Sequence, residues 1–303
     1  MNQAKTLISI VIPFYNEELN IKLLYSKLCN VFNKVDYDFE IIFVDDGSVD
    51  KSLTLVENLH QEDPRVKFVS FSRNFGHQIA LSAGLDYAQG AAVILMDSDL
   101  QHPPEIIPQL LSKWQEGYEN VYTIRNNTDN RSFLKKYSSC LFYKVFYMLT
   151  KLNIPANGAD FRLMDRKLVL QLRKMQERNR FLRGLIYWSG YKSIGIEYKE
   201  ESRKSGEKKY KFKNMFLLAI DALTSFTTKP LYIGIFVGLI FAVLGFIYLL
   251  YALYVNIVLG IAVSGWVSLI AVLTILGGIQ LIVMGLIGIY VGKIFEEVKQ
   301  RPL

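Results

Sequence analysis

Asp97-Ser98-Asp99-Leu100-Gln101-His102-Pro103-Pro104-Glu105 is the densest run of chemistry-bearing side chains in this 303-residue chain. Two carboxylates and an amide oxygen share one tight turn. Hard oxygen donors of this kind suit Mg²⁺ or Mn²⁺. A cation held there would bridge a diphosphate and offset charge on a departing nucleotide. The plain alternative is a solvated turn in which Asp caps a helix. Asp45-Asp46-Gly47-Ser48 is a second such run. A carboxylate in it can accept from a base N–H or a ribose hydroxyl, and Gly47 permits a sharp turn. An ordinary strand-to-helix turn would look the same. In Pro13-Phe14-Tyr15-Asn16-Glu17, Tyr15 could stack on a base and Glu17 could receive a hydroxyl. Helix capping by Asn16 explains that segment nearly as well. Arg73-Asn74-Phe75-Gly76-His77 is the fourth run. His77 and His102 invite roles at a substrate, whereas His60 has no supporting context.

Each run is weak alone; their placement is the informative fact. Leu7–Ile12 reads as a buried strand ended by Pro13. Asn16 is expected to cap the next helix, with Glu17 and Glu18 in its first turn. Ile21, Leu24, Leu28 and Val31 then recur at helical spacing. Glu40–Val44 is a second strand, followed by a helix around Lys51–His60. Val66–Phe71 is a third, followed by a helix from about His77 to Tyr87. Ala92–Met96 is a fourth and runs into Asp97. This alternation predicts an α/β domain with a mostly parallel sheet and helices on both faces. In such sheets ligands bind beyond the carboxyl ends of the strands, where all four polar runs fall.

The rest of the chain reads as membrane-associated. The apolar fraction is 51%, and no Asp, Glu, Lys, Arg or His occurs from Pro230 to Gly292. That stretch holds two spans, about 231–255 and 266–292. Leu7–Ile12 is too short for a signal peptide and has no basic leader, so insertion rests on the C-terminal part. Lys229 precedes the first span; Lys293, Lys299 and Arg301 follow the second; the link between them has no Lys or Arg. The flanks predict a multi-pass inner (plasma) membrane protein with both termini and the catalytic domain in the cytoplasm. Two basic, aromatic stretches, about 131–151 and 209–228, are expected as helices on the membrane surface. The domains are thus 1–228 and 229–303. Gly234-xxx-Gly238 and Gly288-xxx-Gly292 would permit close helix approach and a homo-oligomer. The net charge of +7 suits a phosphate-bearing ligand or anionic lipid. A nucleic-acid partner is not expected: the cations cluster beside apolar segments and no recognition motif is present. Walker A and Rossmann glycine patterns are missing as well. Cys29 and Cys140 have no metal-ligand spacing and read as free thiols.

Taken in order, the four runs and Gly158-Ala159-Asp160-Phe161-Arg162 resemble the motifs of family 2 glycosyltransferases. More narrowly they resemble the polyprenyl-phosphate sugar transferases, dolichyl-phosphate mannose synthases and bacterial bactoprenol glucosyltransferases, over nearly the whole chain. Two C-terminal spans favour the bacterial glucosyltransferase branch. The resemblance implies a GT-A fold and an inverting transfer of a hexose, with glucose from UDP-glucose preferred over GDP-mannose or another nucleotide sugar. It implies that Pro13, Tyr15, Glu17, Asp46 and Asp97 hold the nucleotide. It implies that Asp99 and Gln101 bind Mg²⁺ or Mn²⁺. The acceptor would be polyprenyl (undecaprenyl) phosphate.

A phosphate monoester has its second pKa near 6, so such an acceptor is largely dianionic at neutral pH and needs no strong base. The harder task is holding one anion beside another. Arg125, Arg131, Lys135, Arg203 and Lys211, with the Ser139 hydroxyl, are candidates for the acceptor phosphate. Asp97, Asp99, Asp160 and Arg162 are the catalytic candidates. Asp160 could orient the acceptor or act as a weak base. Arg162 could pair with the diphosphate, with Asp160 or with Asp165. One rival is a processive polysaccharide synthase, but the chain has no Arg-Trp pair at Trp114, Trp188 or Trp266. The other is a membrane scaffold that binds nucleotide without catalysis.

Overall fold

The computed structural model describes residues 5–125, 144–155, 158–175, 177, 180–198, 224–259 and 265–299. The chain divides into two compact units, at Ala219/Ile220.

The first unit is built on one seven-stranded sheet. Its strands are β1 (Leu7–Phe14), β2 (Asp38–Asp45), β3 (Val66–Ser70), β4 (Ala92–Leu95), β5 (Asn120–Arg125), β6 (Gly158–Asp165) and β7 (Ser193–Tyr198). Their spatial order is β3-β2-β1-β4-β6-β5-β7. The helices are α1 (Ile21–Phe32), α2 (Ser52–Glu62), α3 (His77–Tyr87), α4 (Ile107–Gln115), α5 (residues 144–150), α6 (Arg166–Lys174) and α7 (Leu182–Trp188). The sheet is mostly parallel. β6 alone runs antiparallel to both its neighbours, β4 and β5.

Continuous apolar runs give β1, β2 and β4 two buried faces, as covered parallel strands require. The 3–4 spacing seen in the sequence buries Ile21, Leu24, Leu28 and Val31 of α1. Glu40, a buried carboxylate within β2, is satisfied locally. It accepts from Ser9 Oγ (2.5 Å), Lys67 Nζ (2.6 Å) and the Gln89 N–H (2.7 Å). Arg166 and Arg173 of α6 donate to Ala88 and Leu85 carbonyls at the end of α3, where the helix dipole favours cations.

Asn16 does not cap α1, which begins four residues later than that reading requires. Asn16 takes a left-handed φ of 56°. Its side-chain oxygen accepts from the Val49 N–H (2.9 Å), and its own N–H donates to Ser48 Oγ (3.0 Å). Nearby, the Glu17 N–H donates to Ser52 Oγ (2.8 Å) and the Lys51 N–H to Glu18 Oε2 (3.1 Å). The polar side chains that looked like caps stitch the β1–α1 loop to the β2–α2 loop.

The second unit contains two helices, Lys229–Leu259 and Trp266–Lys299, of 31 and 34 residues. At 1.5 Å per residue each exceeds the roughly 30 Å hydrocarbon thickness of a bilayer. Both are long and apolar enough to cross a membrane. Large apolar side chains, among them Phe236, Leu239, Ile282 and Val291, lie exposed along them. Tyr290 Oη donates to the Thr227 carbonyl (2.7 Å) and Lys293 Nζ to Ser225 Oγ (3.0 Å). These bonds tie the carboxyl end of the second helix to the residues preceding the first, so the pair forms a hairpin with both ends together. A Cβ at Gly234 would lie 3.1 Å from Val283, whereas Gly238, Gly288 and Gly292 have no such neighbour within 4 Å among the described residues.

Candidate active site

The antiparallel course of β6 decides what the site contains. Its register pairs Leu95 with Arg162 and Ala92 with Asp165. The start of β6 therefore lies at the carboxyl end of β4. Asp160 and Arg162 arrive beside the Asp97 turn from the opposite chain direction. β5 and β7 are parallel to each other and end at Arg125 and Tyr198 on the same side. The carboxyl ends of β1, β2 and β3 complete the edge.

The loops at this edge support one another through carboxylate-to-backbone bonds. Asp46 is buried, and its carboxylate accepts from the Phe75 N–H (2.7 Å) and the Gly76 N–H (3.0 Å). This bond clamps the β3–α3 loop. Gly47 has φ +73°, and a Cβ there would lie 2.5 Å from the Arg73 carbonyl carbon. Only glycine lets the two loops approach this closely. Asp45 accepts from the Ser48 N–H (2.9 Å) and Ser70 Oγ (3.0 Å), closing its own turn.

The clamp sets His77 at the start of α3, and His77 Nε2 meets Asp97 Oδ1 at 2.8 Å. The side chains are 38% and 29% exposed respectively. Burial alone would lower the His77 pKa, but the bond and charge of Asp97, with Asp160 and Asp46 beyond, raise it to about 9. Burial alone would raise Asp97; the surrounding His102, His77 and Arg125 hold it well below the usual carboxylate range instead. His102 is fully buried, which pushes its pKa down. Its Nδ1 accepts the Asp97 N–H (3.1 Å). It stacks on Phe161 at 5.2 Å. His102 thus shapes the turn, and the cation bonded to Asp97 is His77.

Asp99 is nearly buried and its Oδ1 accepts the Gln101 N–H (3.1 Å). Between them Leu100 takes φ +62°, an unusual value for a bulky side chain. Its side chain is buried in the core, which holds the turn in this shape. The donors at this turn, a carboxylate and an amide carbonyl, fit a hard divalent cation. Among the described residues no three His, Cys, Asp or Glu side chains form a metal cluster. Few protein ligands suit Mg²⁺, which takes one or two carboxylates and completes its shell with phosphate oxygens and water.

Asp160 Oδ1 receives Arg183 Nη2 (2.9 Å) and Nε (3.2 Å), and Arg162 Nη2 lies 3.6 Å away. Burial would raise the Asp160 carboxyl, but these two guanidinium groups hold it below its ordinary value. Arg162 is 1% exposed and donates to the Ala159 carbonyl (3.0 Å). Of the two carboxylates the sequence offered Arg162, Asp160 is the one beside it. Asp165 instead takes the Trp114 indole N–H (2.8 Å) and caps α6.

Of the nucleotide candidates, Pro13 is buried in β1, Tyr15 and Glu17 lie part-buried in the loop after it, and Asp46 and Asp97 follow β2 and β4. Glu17 Oε2 accepts from Asn20 Nδ2 (2.6 Å). Arg125 ends β5, close enough to Asp97 to act on its charge. Arg131, Lys135, Ser139, Arg203 and Lys211 lie outside the described residues, as do most of the two expected surface helices. In the described part of the first, α5, Phe146 is buried against Phe181 (centroids 6.3 Å apart), while Tyr147 and Met148 are exposed. Sequence reasoning missed Arg183 altogether. It sits in Arg180-Phe181-Leu182-Arg183, which has no spacing that singles it out.

A family model described as glycosyl transferase family 2 matches residues 9–173. An uncharacterized glycosyltransferase of Bacillus subtilis (strain 168) is 43% identical over 295 residues, covering 97% of this chain and 91% of the relative. A prophage bactoprenol glucosyl transferase homolog of Escherichia coli (strain K12) is 39% identical over 295 residues, covering 97% of this chain and 96% of the relative. The bactoprenol glucosyl transferase of Shigella phage SfII has the same identity and coverage. Among solved structures, mannosyl-3-phosphoglycerate synthase from Rubrobacter xylanophilus superposes with a TM-score of 0.50 at 15% identity, covering 72% of each chain. That likeness concerns the fold.

Proposed function

The chain belongs to glycosyl transferase family 2, and on that footing we propose that it moves a hexose from a nucleotide diphosphate donor onto a polyprenyl phosphate at the cytoplasmic face of a membrane. It is a glycosyltransferase with a GT-A-type sheet. The preferred donor in this reading is UDP-glucose. One observation carries the proposal: a single chain joins a strand-end cluster of carboxylates and cations to two helices apolar enough to cross a bilayer. Relatives named bactoprenol glucosyl transferase, similar over 97% of the chain, support the lipid acceptor. The hairpin's joined ends, flanked by Lys229 and Lys293, support a cytoplasmic placement of both termini.

In this reading the base and ribose occupy the ends of β1 and β2, near Tyr15, Glu17 and Asp46. Asp97, fixed by His77, faces the donor. Asp99 and Gln101 hold Mg²⁺ or Mn²⁺, which supplies charge neutralisation for the departing diphosphate. The acceptor is already a dianion near neutral pH, so the residues' main task is to align two anions. The cations Arg125 and Arg162 offset that repulsion. The cations on segments 131–139 and 203–211 are proposed to meet the lipid phosphate.

Radiolabelled UDP-glucose, polyprenyl phosphate and Mg²⁺ or Mn²⁺ given to the purified protein should yield label in the organic phase. Asp99→Ala should lower that label by at least about 100-fold, the scale of losing charge stabilisation at a reacting centre. Undiminished transfer by the variant would remove Asp99 from the metal site. Label only with a GDP-sugar would keep the reaction class and change the donor.

A further inference from the structure

Asp160 is held in a lopsided way. Arg183 Nη2 and Nε and Arg162 Nη2 all converge on one oxygen, Oδ1, at 2.9, 3.2 and 3.6 Å. Among the described residues Oδ2 accepts no hydrogen bond, although the side chain is only 25% exposed. Two guanidinium groups on one carboxylate are more than charge balance requires. They fix its rotation as well as its charge. Such a carboxylate makes a poor proton acceptor and a well-oriented hydrogen-bond acceptor.

We propose that Arg183 is a positioning residue that, with Arg162, pins Asp160 by Oδ1 so that Oδ2 receives a hydroxyl of the donor sugar. The ligand class follows from charge. An anionic oxygen repels the acceptor phosphate and the diphosphate, but it pairs well with a neutral hydroxyl. The location agrees, because Asp160 acts on the charge of His77 and Asp97 acts on that of Asp160, so the three belong to one site. Arg183 comes from α7, 23 residues beyond Asp160, and its side chain is 20% exposed. It can be changed without opening the core. The inference rests on the transferase reading above and adds the hydrogen bond that selects the sugar.

The test compares wild type, Arg183→Lys and Arg183→Gln with UDP-glucose and its 2-, 3-, 4- and 6-deoxy analogues, on polyprenyl phosphate. For wild type, one analogue should lose about 10- to 100-fold in kcat/KM relative to UDP-glucose, the worth of a hydrogen bond to a charged acceptor. In Arg183→Gln that particular loss should shrink to about threefold or less, and kcat with UDP-glucose should fall while the acceptor KM changes little. Arg183→Lys should restore part of the discrimination. Melting temperatures of the variants identify any that merely unfold, and the ratio between two donors on one protein is insensitive to the folded fraction. If wild type transfers sugar and Arg183→Gln keeps the full discrimination, the positioning role is overturned. If every analogue is used equally by wild type, the hydroxyl contact is overturned. If wild type transfers nothing from any nucleotide sugar, the function reading itself fails.

Discussion

Replacing His77 by Asn removes the cation that faces Asp97, and the effect on stability has a definite sign. In the folded protein His77 titrates at about 9, against an ordinary value of 6.5. The shift is about 2.5 units, and each unit corresponds to about 1.36 kcal/mol. For a fully shielded pair that would be about 3.4 kcal/mol. The side chain is 38% exposed, so screening reduces the contribution to about 1–2 kcal/mol. A raised folded pKa means that the folded state holds the proton more tightly than the unfolded one. The stabilisation is fully present below pH 6.5 and is lost as pH rises through 9. The part of the low Asp97 titration that His77 causes reflects the same bond and is not counted again. Thermal unfolding of the nucleotide-free, metal-free protein in detergent should be followed at pH 6.0 and 9.5 for wild type and His77→Asn. Other groups that titrate in this window cancel in the difference between the two proteins. Wild type should lose about 2–8 °C more than the variant across it, by the usual scaling for domains of this size. Parallel curves, or a wild type that gains on the variant as pH rises, would refute the pairing.

Two further outcomes follow from the loop clamps. Asp46→Ala should destabilise the protein by about 2–4 kcal/mol, because it strands the Phe75 and Gly76 N–H groups at a buried site. Denaturant midpoints would measure the loss, and Asp46→Asn should fall between. Gly47→Ala should cost about 2 kcal/mol or more, since it places a methyl 2.5 Å from the Arg73 carbonyl carbon at a φ of +73°. An unchanged melting temperature for that variant would show that the two loops do not touch as described.

The sequence by itself located the strand ends, the chemistry gathered at them and the apolar pair of helices. Those features are local: a continuous apolar run, a 3–4 spacing, a cluster of carboxylates after a strand. The expected cap at Asn16 failed because a short amide side chain that can hold its own helix can equally hold a neighbouring loop. Here Val49, 33 residues away, supplies the N–H. The pairings inside the site have the same character. His77 meets Asp97 across 20 residues, and Asp160 meets Arg183 across 23. Above all, the reversal of β6 is invisible in its composition, since Gly158–Asp165 would read alike in either direction. Only its register against Leu95 brings Asp160 and Arg162 to the turn at Asp97. Propensity and pattern act over a few residues and dictate which side chains end each strand; which of them touch depends on sheet order and strand direction, and these are decided by packing the whole domain.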